Sequence, residues 1–349
     1  MGLSKNESFS YIQELFCRGL IIVVGSGASC SYGLPGMGAL AAHLRETVPL
    51  QAGAFDEDSV NAWERVASAL DGGKGLEEAL GSGGVPNVLA DILTEITARF
   101  VQDAEGSAIE SIVTDPAVSA FGRLFVHLLK VSDVVEVVTT NYDRLIEVHA
   151  AKAGVRIDSM FYGHTIGRLD EELSRGELLK REIVPGKGAR YSLRLRPHIR
   201  ISKPHGSLDW FASNDDHYRS DLNIPGARLI VAPGGNKYRL GYDVPFDQQR
   251  NRANSAINGA SAMLFVGYGF NDDHLQTHLK RKFPEVPSVI LAHKLTDSSR
   301  KYLRLNPHAI GIESVADGSR SALTRGADQI EIDGAIWDLE VLNKEVLGI

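Results

Sequence analysis

Cysteine is scarce: only Cys17 and Cys30 occur in 349 residues, and no Cys-x-x-Cys pair is present. Thiolates therefore cannot build a structural zinc ribbon, a disulfide-dense scaffold is excluded, and two thiols in so long a chain fit a reducing cytoplasm. Long apolar runs are also missing. The longest, such as 20–24, fall far short of the roughly 20 residues a membrane span requires, and the N-terminus MGLSKNESFSYIQELF is polar and partly acidic. The expectation is no membrane segment, no signal peptide and a cytoplasmic location. Positive charge is not in excess either: 37 Lys and Arg against 44 Asp and Glu leave a net charge of −7, which disfavours direct nucleic-acid binding. What remains is an ordinary globular composition, 43% hydrophobic and 23% charged. The length allows two domains of about 100–200 residues or one large domain with insertions. Glycine is the one surplus, at 35 residues, or about 10% against a usual ~7%, and it points to tight turns of the kind that approach ligands.

Periodicity organises the chain. LIIVVG at 20–25 is a continuous apolar, β-branched run, as expected of a strand buried on both faces of a parallel sheet, and it leads through GSGAS into the helical stretch MGALAAHLRE. From about 55 to 131 only helical spacing is seen, with Leu89, Ile92, Leu93, Ile96 and Phe100 on one face and Val118, Phe121, Phe125 and Leu128 on another, which predicts a helical insertion. A second buried strand, VVEVV at 134–138, precedes TTNYD and a helix ending at Gly154. Residues 155–200 are mixed and basic and read as a second, smaller insertion. Strands at 228–232, 262–267 and 288–293 alternate with a polar helix at about 245–259 and another opening at YGFNDDHL. The fold class this implies is α/β: a Rossmann-like, doubly wound parallel sheet with a helical insertion and no zinc module, in one domain over 1–349. Residues 276–349 would complete the sheet and supply any oligomer or partner contact.

In such a sheet ligands sit beyond the carboxyl ends of the strands, where strand order reverses. GSGAS at 25–29 places Gly25 and Gly27 where a turn would let a pyrophosphate approach backbone N–H groups; a strand-to-helix turn with no ligand has the same look. The third glycine of a dinucleotide fingerprint would fall on Cys30, and the acidic residue about 20 positions on, Glu46, lies within a helical run, which argues against an ordinary dehydrogenase. In TTNYD at 139–143, Asn141 suits ordering a water or a ribose hydroxyl, and equally a helix N-cap. His205 in HGS brings one imidazole beside a glycine that lets a ligand come close. GYGFNDDHL at 267–275 repeats the strand, glycine, helix pattern, with Asp272 and Asp273 open as ribose ligands or caps.

GSGAS with the following Gly33-Leu34-Pro35, then TTNYD, HGS and GYGFNDD, in this order over roughly 20–275, resembles the sirtuin superfamily. More narrowly it is similar to the bacterial sirtuin-like branch of antiphage-defence effectors, whose middle motif is Thr-x-Asn-Tyr-Asp. The resemblance implies that Gly25, Ser26, Gly27 and Ser29 cradle the phosphates of NAD, with Gly33, Pro35 and Thr140 beside them. It puts Asn141 and Asp143 at the nicotinamide ribose, His205 as the catalytic histidine, and Gly267, Tyr268 and Asp272 or Asp273 on the adenosine side. The deacylases continue their Gly-Ile-Pro motif with Asp-Phe-Arg, whereas Pro35 is followed here by Gly36, Met37 and Gly38. Those differences and the missing zinc module weaken acyl-lysine removal and leave NAD cleavage in place.

The implied activity is hydrolysis of NAD, as substrate and without metal, to nicotinamide and ADP-ribose, in a regulated NAD-depleting defence effector. The alternatives are an NAD-dependent deacylase or ADP-ribosyltransferase, and a non-catalytic NAD or ADP-ribose sensor. The resemblance also implies a switch: homo-oligomerisation, or a separate partner, a HerA-type ATPase first and an Argonaute-like protein second. Two surface expectations complete the reading. Arg190, Arg194, Arg196, Arg200 and Lys203 form a basic stretch, read as a solvated strand face or acidic-partner contact ahead of a phosphate contact. The tail with Ile336, Leu339, Val341 and Leu342 is amphipathic, to pack on its own domain or on a second copy.

Overall fold

The computed structural model describes residues 4–349 except 82–83, 185–189, 223, 234–243 and 316; the side chains of 52, 184, 190, 273 and 274 also lie outside the described set. The chain opens with α1 (Lys5–Leu15), N-capped by the Ser4 hydroxyl, which accepts from Glu7 N. It then enters β1 (Leu20–Val24), whose five residues are all buried. Helices follow before the sheet is resumed: α2 (Ser26–Cys30), α3 (Met37–Thr47), α4 (Glu57–Asp71), α5 (Leu76–Gly81) and α6 (Asn87–Thr114). Then α7 (Ala120–Leu128), capped by Ser119, leads into β2 (Val134–Thr139). After α8 (Leu145–Lys152) come β3 (Arg156–Asp158), β4 (Phe161–Tyr162), β5 (Ile166–Leu169) and α9 (Glu171–Glu177). The hairpin β6 (Leu179–Val184) and β7 (Arg190–Leu195) precedes β8 (His198–Ser202), β9 (Gly206–Ser213), β10 (Asp216–Ser220) and β11 (Ala227–Ile230). The last part alternates α10 (Phe246–Gly259), β12 (Ala262–Val266), α11 (Asp273–Lys282), β13 (Ser288–Ala292), α12 (Asp297–Leu305) and β14 (Ala309–Val315). It ends in β15 (Arg320–Arg325), β16 (Asp328–Asp333) and the short α13 (Leu339–Leu342).

The nine-stranded sheet runs in the order β16-β15-β14-β13-β12-β1-β2-β8-β3. It is parallel from β14 to β3, and β15 and β16 are added antiparallel at one edge. This is the doubly wound α/β sheet that the alternation of strands and helices predicts. Successive residues of β1 feed opposite layers, because strand side chains alternate faces. Leu20, Ile22 and Val24 join a core built with α1, α7, α8 and the C-terminal segment, while Ile21 and Val23 join a second core with α10, α11 and α12. A continuous apolar run is what a strand covered on both faces needs.

The helices between β1 and β2 do not act as one unit. Leu40 to Leu93, with Ile96 and Phe100 packed alongside, form a separate apolar cluster of α3, α4, α5 and the first half of α6, whereas Phe121, Phe125 and Leu128 of α7 belong to the core under the sheet. The helical stretch read at 55–131 thus divides between two cores. The second half of α6 is tied by Val101, Ala108 and Ile112 to Leu145, Leu208 and Ile230. Within 155–200 and beyond, β11, β9, β10, β5 and β4 make a second sheet of five strands, in that order. The amphipathic tail packs back on its own domain, with Ile336, Leu339, Leu342 and Val346 buried in the main core. No helix of the described residues is long and apolar enough to cross a membrane.

The expected basic stretch is solvated only in part: Arg194, on the β6–β7 hairpin, keeps 71% of its side chain exposed, whereas the residues on and after β8 turn inward. Lys203 is 1% exposed, Arg200 pairs with Glu136 at 2.8 Å, and among these residues Arg194 pairs with Glu182 at 3.2 Å. A strand covered on both faces turns its charged residues inward onto partners.

Candidate functional site

Chain order leaves β1 toward β2 and β8, then returns to the far side of β1 with β12. Strand order therefore reverses at β1, and the four motifs occupy the carboxyl ends of four adjacent parallel strands: GSGAS after β1, TTNYD after β2, His205 after β8 and GYGFNDD after β12.

Asn141 is not a helix cap. Its amide nitrogen donates to the Gly25 carbonyl and to Ser29 Oγ, both at 3.0 Å, so it reaches from the β2 loop across to the β1 loop. Asp143 stands one residue before the N-cap Arg144, and its Oδ1 accepts from Leu145 N at 3.2 Å at the start of α8. Its other oxygen, Oδ2, accepts from Ser29 Oγ at 2.7 Å. Burial pushes the Asp143 carboxyl above the usual carboxylate range, against the pull of Lys203 and of the Ser29 hydrogen bond. Lys203 is the counter-charge that sequence reading missed. Its Nζ donates to the Asp143 carbonyl at 2.5 Å, to Ser207 Oγ at 3.0 Å and to Glu147 at 3.2 Å, locking the end of β8 to the TTNYD loop.

His205 lies between Lys203 and β9, 8% exposed, with Nε2 3.1 Å from Asp272 Oδ2. The glycine after it serves a neighbour strand rather than a ligand. Gly206 has φ +81°, and a Cβ there would stand 2.0 Å from the Leu229 carbonyl of β11. Of the two aspartates left open, Asp272 is the one placed at His205; the side chain of Asp273 lies outside the described residues.

The glycine loops are likewise occupied by each other. Gly25 N donates to Val266 O and Gly27 N to Gly267 O, each at 3.0 Å, and a Cβ on Gly267 (φ +60°) would come within 2.2 Å of Ala28 N. The β1 and β12 turns need glycine in order to touch, and these two amides are spent in doing so. Gly27 and Gly267 line a separate cavity of about 330 Å³ behind α2, with Tyr32, His293 and Trp337.

Gly25, Ser26, Ser29, Pro35, Thr140, Asn141, Asp143, His205, Tyr268 and Asp272 all line one cavity of about 630 Å³, within the roughly 300–1,000 Å³ of small-molecule sites. Gly33, which turns the chain after α2 with φ +86°, is not among its lining residues. The cavity's other wall was not legible in the sequence. Met37 and Leu40 of α3, Leu76, Glu77 and Glu78 of α5, and Val101 of α6 bring the helical insertion over the site. The described lining holds the carboxylates Glu77, Glu78, Asp143 and Asp272 and no Lys or Arg, although Lys74 pairs with Glu78 at 3.2 Å and Lys203 faces Asp143 from behind, so the wall presented to a ligand is acidic.

The loop that carries Asn141 and Asp143 is braced from the insertion. Glu105, fully buried on α6, accepts from the backbone N of Arg144, with its Oε2 2.6 Å from Arg144 Nη2 and the guanidinium also paired to Asp221. The available signal was an acidic residue on the buried face of a helix, in line with Val101, Ala108 and Ile112. Among the described residues no group of three or more His, Cys, Asp or Glu side chains is gathered to hold a metal.

Solved structures of similar outline include a Sir2 homologue in complex with NAD, 14% identical over 85% of this chain and 86% of that one, with a TM-score of 0.41. A Sir2 homologue variant bound to 2′-O-acetyl ADP-ribose is 14% identical over 85% and 88%, with a TM-score of 0.42. No curated protein matches the chain. Residues 135–286, which contain Asn141, Asp143, His205 and Asp272, match the family model of the SIR2-like domain, and with that match the sirtuin-like reading of the motifs is supported at the level of the superfamily.

Proposed function

We propose that the protein hydrolyses the N-glycosidic bond of NAD, giving nicotinamide and ADP-ribose. The observation that carries the reading is the convergence of Asn141 and His205 on one cavity at the switch point of the sheet. Cleavage breaks the bond between C1′ and the nicotinamide nitrogen, whose electron pair leaves with the neutral base. C1′ becomes oxocarbenium-like, water attacks it, and the water proton passes to His205. Asn141 orients the water or the ribose, and a general base in this position contributes about 10²–10⁴-fold. The carboxylates of the cavity wall suit both the pyridinium of the substrate and the positive charge that develops at C1′. Asp143, with its oxygens engaged by Ser29 and Leu145 N, acts by holding the loop at the ribose.

Hydrolysis is favoured over deacylation because Gly36, Met37 and Gly38 follow Pro35 where deacylases carry Asp-Phe-Arg. By the same resemblance, the activity is that of a bacterial antiphage effector which depletes NAD and is held off until homo-oligomerisation or a partner, a HerA-type ATPase first, releases it. The test is incubation of the protein with NAD, alone and with its co-purifying partner, with nicotinamide and ADP-ribose resolved by chromatography. His205→Ala and Asn141→Ala should each abolish product while keeping the wild-type melting curve; normal turnover in either variant sinks the assignment.

A further inference from the structure

Three features outside the proposed roles stand out. The cavity behind α2 is lined by Gly27 and Gly267, whose turns pack on each other, and, among the described residues, by no charged group that would name a ligand beyond Asp338 and Glu340. The charged cleft around Arg144 and Arg228 is neutralised by its own Glu95, Asp209 and Asp221. The contact between His205 and Asp272 carries further.

We infer that Asp272 is a positioning residue that holds His205 in one tautomer, with the proton on Nε2 and the basic lone pair on Nδ1, rather than a ligand of the adenosine ribose. The inference rests on the NAD-hydrolase reading for its kinetic consequence, and on geometry for the pairing itself. The Nε2 to Oδ2 distance is 3.1 Å, and each residue is 8% exposed. A carboxylate facing one ring nitrogen of a mostly buried imidazole fixes which nitrogen carries hydrogen and orients the ring. It also stabilises the imidazolium formed when the other nitrogen takes the water proton.

Both sides of the pair are held from behind. His205 is fixed by its carbonyl, which accepts from Val231 N at 2.9 Å, and by the turn at Gly206. On the other side, Phe270 adopts φ +57°, a left-handed conformation that is strained for a non-glycine residue. It is kept there by a fully buried ring packed on Phe265, Tyr268, Phe283 and Tyr302. Its carbonyl accepts from Gln276 Nε2 at 2.8 Å, and the Asp272 carbonyl accepts from Gln276 N at 3.1 Å. Thr296 Oγ1 donates to the Gly269 carbonyl at 2.7 Å. A loop pinned at Gly269, Phe270 and Asp272 delivers the carboxylate to a set place beside His205.

The experiment compares wild type, Asp272→Asn and Asp272→Glu by ¹⁵N NMR of the histidine side chains, with His205→Gln to assign the signal, and by NAD kinetics and NAD affinity. The expected result is an Nε2–H tautomer for His205 in wild type and Asp272→Glu, disturbed in Asp272→Asn. Asp272→Asn should lose about 10²–10⁴-fold in kcat, with KM and the dissociation constant of NAD changed less than about threefold. An unchanged His205 spectrum in Asp272→Asn, or a weakened affinity for NAD with kcat intact, overturns the inference. Should wild type not cleave NAD, the hydrolase reading fails while the spectrum still decides the pairing.

Discussion

Ser29 and Asp143, 114 residues apart in sequence, share a 2.7 Å hydrogen bond in the buried floor of the cavity, and the same hydroxyl accepts from Asn141 at 3.0 Å. One small side chain on the β1 turn thus sets both polar groups of the β2 loop. Ser29→Ala removes the donor to a buried carboxylate and an acceptor of the Asn141 amide at once. The expected cost is about 1–3 kcal/mol of stability by urea unfolding, with NAD turnover lowered at least tenfold because Asn141 is released. Wild-type stability and turnover in this variant would show that the bridge does not hold the loop.

His149 supplies a pH dependence of folding. It is fully buried on α8 between the rings of Tyr32 and Phe121, at centroid distances of 5.0 and 5.5 Å, and neither ring nitrogen has a hydrogen-bond partner among the described residues. Burial lowers its pKa from 6.5 to about 4. The unfolded chain therefore binds the proton first as pH falls. The stability tied to a neutral His149 is fully present above about pH 6.5 and is lost as pH falls toward 4, by roughly 3 kcal/mol in total. His149→Phe should flatten that limb when urea midpoints are compared at pH 7 and pH 5; an unchanged slope would mean that another group titrates.

The brace between Glu105 and Arg144 makes a third expectation. Glu105→Ala leaves a guanidinium that is 19% exposed with only the solvent-exposed Asp221 as partner and should cost about 3–5 kcal/mol, with loss of turnover because Arg144 directly follows Asp143. Replacing both partners, Glu105→Leu with Arg144→Met, should recover part of the stability and less of the activity. Thermal melts and NAD assays on the two variants separate the roles, and an additive loss in the double variant would argue against direct coupling.

The sheet and the polar floor of the site were legible in the sequence because both are local. A run such as LIIVV shows that a strand is covered on two faces, and a motif at a strand's end states which side chains stand at the crevice. The lid of Met37, Leu40, Leu76, Glu77 and Glu78 was not legible, since its place over the cavity is decided by helix packing far from any motif. The glycines misled for a related reason. Gly27, Gly206 and Gly267 mark close approach, but what approaches is another turn or strand, and a sequence does not say which. Lys203 read as surface charge because its three acceptors come from segments up to 60 residues away.

The pairing of β1 with β12 also has a consequence in time. Leu20 lies opposite Ala262 in the ladder, so the central strand lacks one of its two neighbours until 242 further residues have been made. At about 5–20 residues per second that interval lasts on the order of 10–50 s, and the Asp272 loop emerges later still. A nascent or prematurely ended chain therefore holds GSGAS, TTNYD and His205 without the strand that closes them into a cavity, and a ribosome still at work on this message carries no assembled cavity.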